Sequence, residues 1–520
     1  MGNPAVPEWL TQIPSRIVVN SVFVILLSFG IVGVVLYLLN RLERNRKLNL
    51  TGIPSIPSPR SWDFRSTIAE ANAKYPNQPY VVPFQDPTVV IPPHCIEELK
   101  NLSDSSLSPN GSMYDRFAIR WTGSGWVSKE LAHSIKYDLV NEVDDFLPTI
   151  LEEIQHAAAQ VLPSLPTWTS LSPQPPLTHV VGSVIGKMMV GGPLNRDKKW
   201  LSSSIDHAMA VVMYSGLLRQ FPSFFRPFIA GLLPQKRAVE KSKKGIKEAI
   251  STIVEKSLTN GGNQSKGGLL ESSDSGRLAR WLLKRYRPAE NPEFSPSLVY
   301  RDHYSLCFAA IHGPTFLLVQ SIIDAASYPQ YLAQVREEVD RELAQAPFEK
   351  WTRETIARLT FVDAFCKESA RMNPQGLIGW LRKTHKPIAL STGHVIPPDT
   401  LIAATNPLYH PEATPWIKDP DKFRPERWME DRTNPDPNAS FRFGSASIDS
   451  LIFGYGKHAC PGRPFGVAVV KAMFAYIVSK WDVRLPGGQG GRPENLCMDF
   501  VVIPPIAPFG DLKIEFRLRK

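Results

Sequence analysis

Apolar and polar positions follow three different patterns along the chain. From Ile17 to Leu39 the chain is almost wholly apolar, broken only by Asn20, Ser21, the small residues Ser28, Gly30 and Gly33, and Tyr37. At helical rise these 23 residues cover slightly more than roughly 30 Å, the thickness of a bilayer core. From Tyr114 to about Pro347 apolar residues recur at three- and four-residue spacing, which predicts helices over 144–161, 238–258 and 297–326. A Gly/Ser/Asn-rich stretch, Thr259 to Gly268, predicts a surface loop between two of them. After Pro374 the segments become short and proline-punctuated. Residues 388–390 and 394–396 read as paired strands about a Ser391-Thr392-Gly393 turn, with later strands at 498–503 and 512–518. The pattern as a whole predicts a mainly α fold with small peripheral β-sheets, preceded by one N-terminal transmembrane helix.

The flanks of the apolar run refine this expectation. Arg41, Arg44, Arg46 and Lys47 follow it at once, whereas Arg16 is the one basic residue before it. The run is too long for the core of a cleaved signal peptide, and the positive-inside rule puts its C-terminal side in the cytoplasm. Pro54, Pro57 and Pro59 then predict a stiff, extended spacer. The expected organisation is a lumenal N-terminus at 1–16, an anchor at 17–39, a basic and Pro-rich linker at 40–62 and a cytosolic catalytic domain at 63–520. Endoplasmic reticulum is the expected membrane.

Composition narrows the function classes. The net charge of +10 is a mild excess for 520 residues and is dispersed apart from the juxtamembrane cluster, which argues against nucleic acid. Cysteines stand at 95, 307, 366, 460 and 497, an odd number with no Cys-x-x-Cys pair, as in a reduced cytosolic environment.

One cysteine stands in a special frame. Phe453-Gly454-Tyr455-Gly456-Lys457-His458-Ala459-Cys460-Pro461-Gly462-Arg463 puts Cys460 in a glycine-rich turn before a helix predicted from Pro464 to Trp481. A helix N-terminus there favours thiolate over thiol, and Gly454, Gly456 and Gly462 let the backbone pass close to a flat object. The other four cysteines read as small buried hydrophobes. The pattern Phe-x-x-Gly-x-[Arg/His]-x-Cys-x-Gly resembles the haem-binding signature of cytochromes P450, with every fixed position present. The resemblance implies haem b as cofactor, Cys460 as the metal ligand, and Phe453, Gly456, His458 and Gly462 around the haem.

Two further motifs extend the resemblance. On a helix predicted from Phe361 to Met372, Glu368 shares a face with Phe361, Phe365 and Met372, where a carboxylate needs a buried cation. Arg371, one turn on, supplies one. Glu368-Ser369-Ala370-Arg371 resembles the P450 K-helix motif, and Phe423 to Trp428 the downstream segment whose arginine, here Arg427, completes a structural triad. The resemblance further implies Arg382, one residue beyond the usual position at Leu381, and His133 and Lys136 as propionate ligands. The style is that of fungal P450s of secondary metabolism, several of which oxidise terpenoids.

The long central helix departs from the family. Where an acid–alcohol pair is usual, this chain has Ala309-Ala310-Ile311-His312-Gly313-Pro314-Thr315. His312 takes the acid's place, Gly313 and Pro314 replace the two threonines, and Thr315 comes two positions late. These four residues are the catalytic candidates, and Pro314 also deprives the Ala310 carbonyl of its helical donor. The resemblance implies a monooxygenase that oxidises a lipophilic small molecule with O2 and electrons from NADPH-cytochrome P450 reductase. Lys457, Arg463 and Lys471 are the expected docking side for the reductase. Two alternatives remain: a haem-thiolate enzyme of coupling, dehydrogenation or rearrangement that needs no standard proton relay, and a non-enzymatic membrane-tethered haem protein.

Overall fold

The computed structural model describes residues 15–59, 64–259, 275–409, 414–429, 441–488, 491–493 and 512–519; the side chains of 15–30, 32 and 409 are outside that description. The expected strand at 498–503, most of the 259–268 loop, Cys497 and most of the 1–16 segment lie outside the described residues.

Helices dominate. α1 (Ser15–Leu48) comes first, then α2 (Lys129–His133), which runs through a π-helical turn at 134–138 into α3 (Leu139–Val161). α4 (Gln174–Met189), α5 (Lys198–Leu218) and α6 (Gln235–Thr259) follow. The central rod is α7 (Pro296–Ala310) and α8 (His312–Ser327), succeeded by α9 (Pro329–Gln345), α10 (Thr360–Met372) and α11 (Arg463–Lys480). The predicted helices at 144–161 and 238–258 are present and slightly longer. The third, at 297–326, is divided. Pro314 has no N–H, so the helical ladder breaks at Ile311 and resumes with Thr315 N–H on the Ile311 carbonyl at 3.1 Å.

The largest sheet has the order β1-β2-β8-β5-β3, from β1 (Tyr80–Val82), β2 (Thr88–Val90), β3 (Leu107–Ser108), β5 (Ile378–Thr384) and β8 (Leu401–Thr405). A three-stranded sheet joins β4 (Thr169–Leu171) and β9 (Trp481–Arg484) to the two edges of β10 (Ile514–Leu518). The predicted hairpin forms from β6 (Ile388–Ala389) and β7 (Val395–Ile396), with Gly393 at φ +83° in its turn. Small sheets thus flank a helical body, as expected.

The main hydrophobic core runs along the central rod, where Leu318, Val319, Ile322 and Ile323 are fully buried against α10 and α11. The rod is long and apolar enough to cross a membrane by composition, but most of it is buried in the molecule, as a core helix is. Asp324, also buried, is held by Ser369 Oγ at 2.7 Å, Asn373 Nδ2 at 3.0 Å and Arg492 Nε at 2.9 Å, tying α8 to α10 and the C-terminal segment.

The expected linker needs correction. Residues 40–48 continue α1, and the proline-rich stretch after them is packed down. Ile53 and Ile56 are buried, and Val81 exchanges backbone bonds with Pro54 and Ile56 at 2.8 and 3.0 Å. Apolar contact and strand-like pairing hold this segment to the sheet where a spacer would stay free. The end of α1 also touches the body, with Asn40 Nδ2 on the Gln220 carbonyl at 2.9 Å and Glu43 accepting from Ser223 N–H at 3.1 Å.

Candidate functional site

A cavity of about 330 Å3 lies between the central rod and the cysteine loop. Its wall is mostly apolar and includes Leu131 and Ile135 from α2 and the π turn, and Ala309, Gly313 and Pro314 from the rod. Phe453, Cys460, Gly462 and Arg463 close the opposite side.

The loop's own bonds shape it. Cys460 N–H donates to the Phe453 carbonyl at 2.7 Å, and Ala459 N–H to the Gly456 carbonyl at 3.0 Å. Gly456 sits at φ +79°, where a Cβ would come within 2.7 Å of Lys100, so only glycine fits. Trp380 Nε1 holds the Tyr455 carbonyl at 3.1 Å from the sheet side. Burial pushes the Cys460 thiol above its ordinary value, while the backbone N–H groups of Gly462 and Arg463 and the Arg463 charge pull it back. The N–H groups at the helix start thus favour thiolate, as expected, and burial works against them. Cys460 would be held as thiolate if its sulfur bound a metal cation, since coordination deprotonates a thiol outright.

Arg382 provides an independent test of what fits here. Its side chain is buried, Nη1 bonds the Leu381 carbonyl at 2.9 Å, and Nη2 has no partner among the described residues. Burial pushes its pKa down to about 10. Arg382 is not in the cavity wall but stands near His458 of the cysteine loop, where a buried, half-paired guanidinium suits a carboxylate at the edge of the group the cavity would hold. The backbone also explains the one-residue offset from Leu381. β5 bulges between Gly379 and Arg382 opposite β8, with Trp380 at φ +49°, so one extra residue is taken up just before Arg382. His458, half-buried, bonds Asp104 through Nε2 at 2.7 Å, and Lys457 pairs with Asp104 at 3.0 Å.

Under the loop lies the expected triad. Glu368, fully buried, receives Arg371 Nε and Nη2 at 2.9 and 2.8 Å and Arg427 Nε at 3.2 Å. Trp428 Nε1 at 2.9 Å and the Arg424 N–H at 2.9 Å complete its shell. Both arginines then spread onto backbone carbonyls of residues 418–422, which fixes that strapping segment. Trp428 was not singled out from the sequence, although it adjoins Arg427.

Other candidates stand elsewhere. His133 and Lys136 are exposed and absent from the cavity wall. The His133 ring lies 5.7 Å from that of Tyr137, and Lys136 Nζ stands over Tyr137 at 5.2 Å. His133 instead borders a polar cleft with Glu130, Asp138, Lys284, Arg285 and Arg287. The π turn at 134–138 inserts a residue into the helical count, which regular helical spacing could not anticipate.

His312 and Thr315 also turn away from the cavity wall. His312 Nε2 meets the Ile205 carbonyl of α5 at 2.9 Å, and burial lowers its pKa. Thr315 Oγ1 donates to the Ile311 carbonyl at 2.8 Å. Gly313 and Pro314 do face the cavity. The polar group that reaches this break comes from an unflagged residue: Gln375, also in the wall, donates through Nε2 to the Gly313 carbonyl at 2.9 Å. Of the three proposed docking cations, Lys471 is buried and paired with Asp363 at 3.1 Å, so it cannot meet a partner. Arg463 is half-buried, with Nη1 on the Cys460 carbonyl at 2.9 Å.

The family model for cytochrome P450 matches residues 127–507, which include the rod, the triad and the cysteine loop. The chain belongs to the cytochrome P450 family. It is 28% identical to the cytochrome P450 monooxygenase ascG of Acremonium egyptiacum, over 91% of this chain and 93% of that one. It is 28% identical to the cytochrome P450 monooxygenase BOA7 of Botryotinia fuckeliana, over 96% of each chain. With the cytochrome P450 monooxygenase gliF of Aspergillus fumigatus it shares 29% over 89% of this chain and 92% of that one. The resemblance to fungal P450s is thus borne out, and the protein is an oxidoreductase of the monooxygenase class. The reading as a non-enzymatic haem protein falls away.

Proposed function

We propose that this P450 is a haem-thiolate monooxygenase acting on a lipophilic small molecule of fungal secondary metabolism, such as a terpenoid. The observation that carries the reading is Cys460 in the wall of an apolar cavity whose other side is the broken central rod. Haem, when bound, supplies activation of O2 and oxidation of the substrate. Cys460 would hold its iron, and Arg382 and His458 its carboxylates. Gly456 and Gly462 keep the loop close, and the Glu368 shell keeps the supporting segment rigid. Leu131, Ile135 and Ala309 exclude water from the substrate side.

Electrons come, on this proposal, from an NADPH-dependent reductase. α1 anchors the protein in the endoplasmic reticulum membrane with the catalytic domain cytosolic. Support comes from the apolar side chains Ile31, Val34, Val35 and Leu38, which stand exposed along α1. The inward turn of His312 and Thr315 onto protein carbonyls favours one second reading. A reaction that needs no standard proton relay, such as coupling, dehydrogenation or rearrangement, would not miss them.

The test of ligand and cofactor is spectroscopic. Cys460→Ala abolishes the thiolate-type absorption of the reduced, carbon monoxide-bound protein, and Cys95→Ala leaves it intact. Survival of that spectrum in the Cys460 variant refutes the ligand. Metabolite profiling after deletion of the gene then names the substrate class, and accumulation of a polar precursor contradicts the lipophilic reading.

A further inference from the structure

The central rod carries four buried serine and threonine hydroxyls, and one of them behaves differently. Thr315, Ser321 and Ser327 each donate to the carbonyl four residues back, at 2.8, 2.9 and 2.8 Å. That is the ordinary fate of a hydroxyl inside a helix, because the carbonyl one turn back is always within reach. Ser305 does not follow. Its residue is only 3% exposed, yet its Oγ has no hydrogen-bond partner among the described residues. It lies in the cavity wall beside Leu306 and one turn before Ala309.

Each other polar side chain of that wall already has a partner or a proposed role. Gln375 places one of its two N–H groups on Gly313, Arg463 bonds the Cys460 carbonyl, and Cys460 is the proposed iron ligand. The rest of the wall is mostly apolar and includes Val127, Leu131, Met188 and Leu306. A buried hydroxyl without a partner is disfavoured and is kept where something else fills its bond.

We propose that Ser305 is a specificity residue that donates a hydrogen bond to an oxygen acceptor, a carbonyl or hydroxyl oxygen, on an otherwise hydrocarbon substrate. The proposal rests on the reading of this cavity as the haem and substrate chamber. It narrows the substrate class from any lipophile to one with an oxygen already in place. The class of reaction that supplies such a substrate is therefore an earlier oxygenation or hydration of the hydrocarbon frame. An apolar cavity with one hydroxyl discriminates by that single bond, since the hydrocarbon analogue would strand the hydroxyl in the same unpaired state.

The experiment uses purified holoprotein and matched pairs of compact ring compounds: decalin with 2-decalone, and adamantane with 2-adamantanone. Affinity is read from the shift of the haem absorption on titration. The wild type binds the ketone of at least one pair roughly tenfold more tightly than its hydrocarbon. Ser305→Ala removes that preference while the hydrocarbon's affinity stays, and Ser305→Thr, which keeps a hydroxyl, retains it. Absence of a ketone preference in every pair, or a preference that survives in Ser305→Ala, overturns the proposal and leaves Ser305 satisfied by water. The reduced carbon monoxide spectrum is recorded alongside. A wild type without the thiolate-type band would sink the chamber reading itself, whereas a normal band with no ketone preference sinks only the role of Ser305.

Discussion

The side-chain amide of Gln375 donates to the carbonyl of Gly313 at 2.9 Å, joining the segment after α10 to the break in the central rod. At that break Pro314 withholds a backbone N–H, and a Cβ on Gly313 would meet nothing nearer than Gln375 Nε2 at 3.5 Å. The cavity therefore has room beside an amide, while the two side chains that the sequence offers for proton delivery face protein carbonyls.

Gln375→Leu is expected to lower product formed per NADPH consumed by roughly fivefold, about the worth of one hydrogen bond, with more wasted peroxide. His312→Gln, which can keep the bond to Ile205, should leave the ratio near that of the wild type. The measurement is the product-to-NADPH ratio for both variants. A drop confined to His312→Gln would return proton delivery to the histidine.

Glu368 gathers five donors, from Arg371 (two), Arg427, Trp428 and the Arg424 backbone. Glu368→Ala strands two buried arginines at a cost of about 3–5 kcal/mol, so little folded holoprotein is expected. Trp428→Phe removes one bond, about 1 kcal/mol, and should fold with a slightly lower Tm. Yield of carbon monoxide-binding protein checks both. Normal yield of an inactive Glu368→Ala holoprotein would move Glu368 from structure to chemistry.

His207 is fully buried between the Ser124 and Ser242 hydroxyls, 2.8 Å from each, and burial pushes its pKa down to about 3. His303, also buried, is pushed down to about 4. Unfolded, each titrates near 6.5. The unfolded state therefore takes up protons that the folded state refuses. Stability from these groups is complete above about pH 6.5 and falls as the pH drops, by up to about 1.4 kcal/mol per pH unit for each histidine. Thermal denaturation from pH 7 to 5 should show a fall in this direction, and His207→Gln should make it shallower. An unaltered slope would mean that His207 is already charged in the fold.

Phe224, Phe228 and Leu232 form an apolar patch, 58%, 70% and 80% exposed, close to where Ser223 meets the end of α1. On the membrane reading, deletion of residues 1–39 releases only part of the protein from membranes. Adding Phe228→Ser and Leu232→Ser releases the remainder, with haem retained. Fractionation of membranes from supernatant measures this, and full retention of the combined variant would place the contact elsewhere.

What the sequence determined by itself is what neighbours in the chain decide. The turn around Cys460 closes through bonds that span at most seven residues, and Glu368 meets Arg371 one helical turn away. Helical spacing revealed α3, α6 and α10, because periodic burial is a local pattern. Only the tertiary structure decided where side chains point. His312 is claimed by Ile205, 107 positions away, and Lys471 by Asp363 on another helix. His133 and Lys136 stand exposed at a π turn that helical spacing did not show, and a bulge before Arg382 takes up the one-residue offset from Leu381. Gln375 carries no motif, and the unpaired hydroxyl of Ser305 is visible only once every possible partner has a position. The physical reason is common to all of these. A buried polar group takes whichever partner the packing of distant elements brings within about 3 Å, and spacing along one chain does not contain that distance.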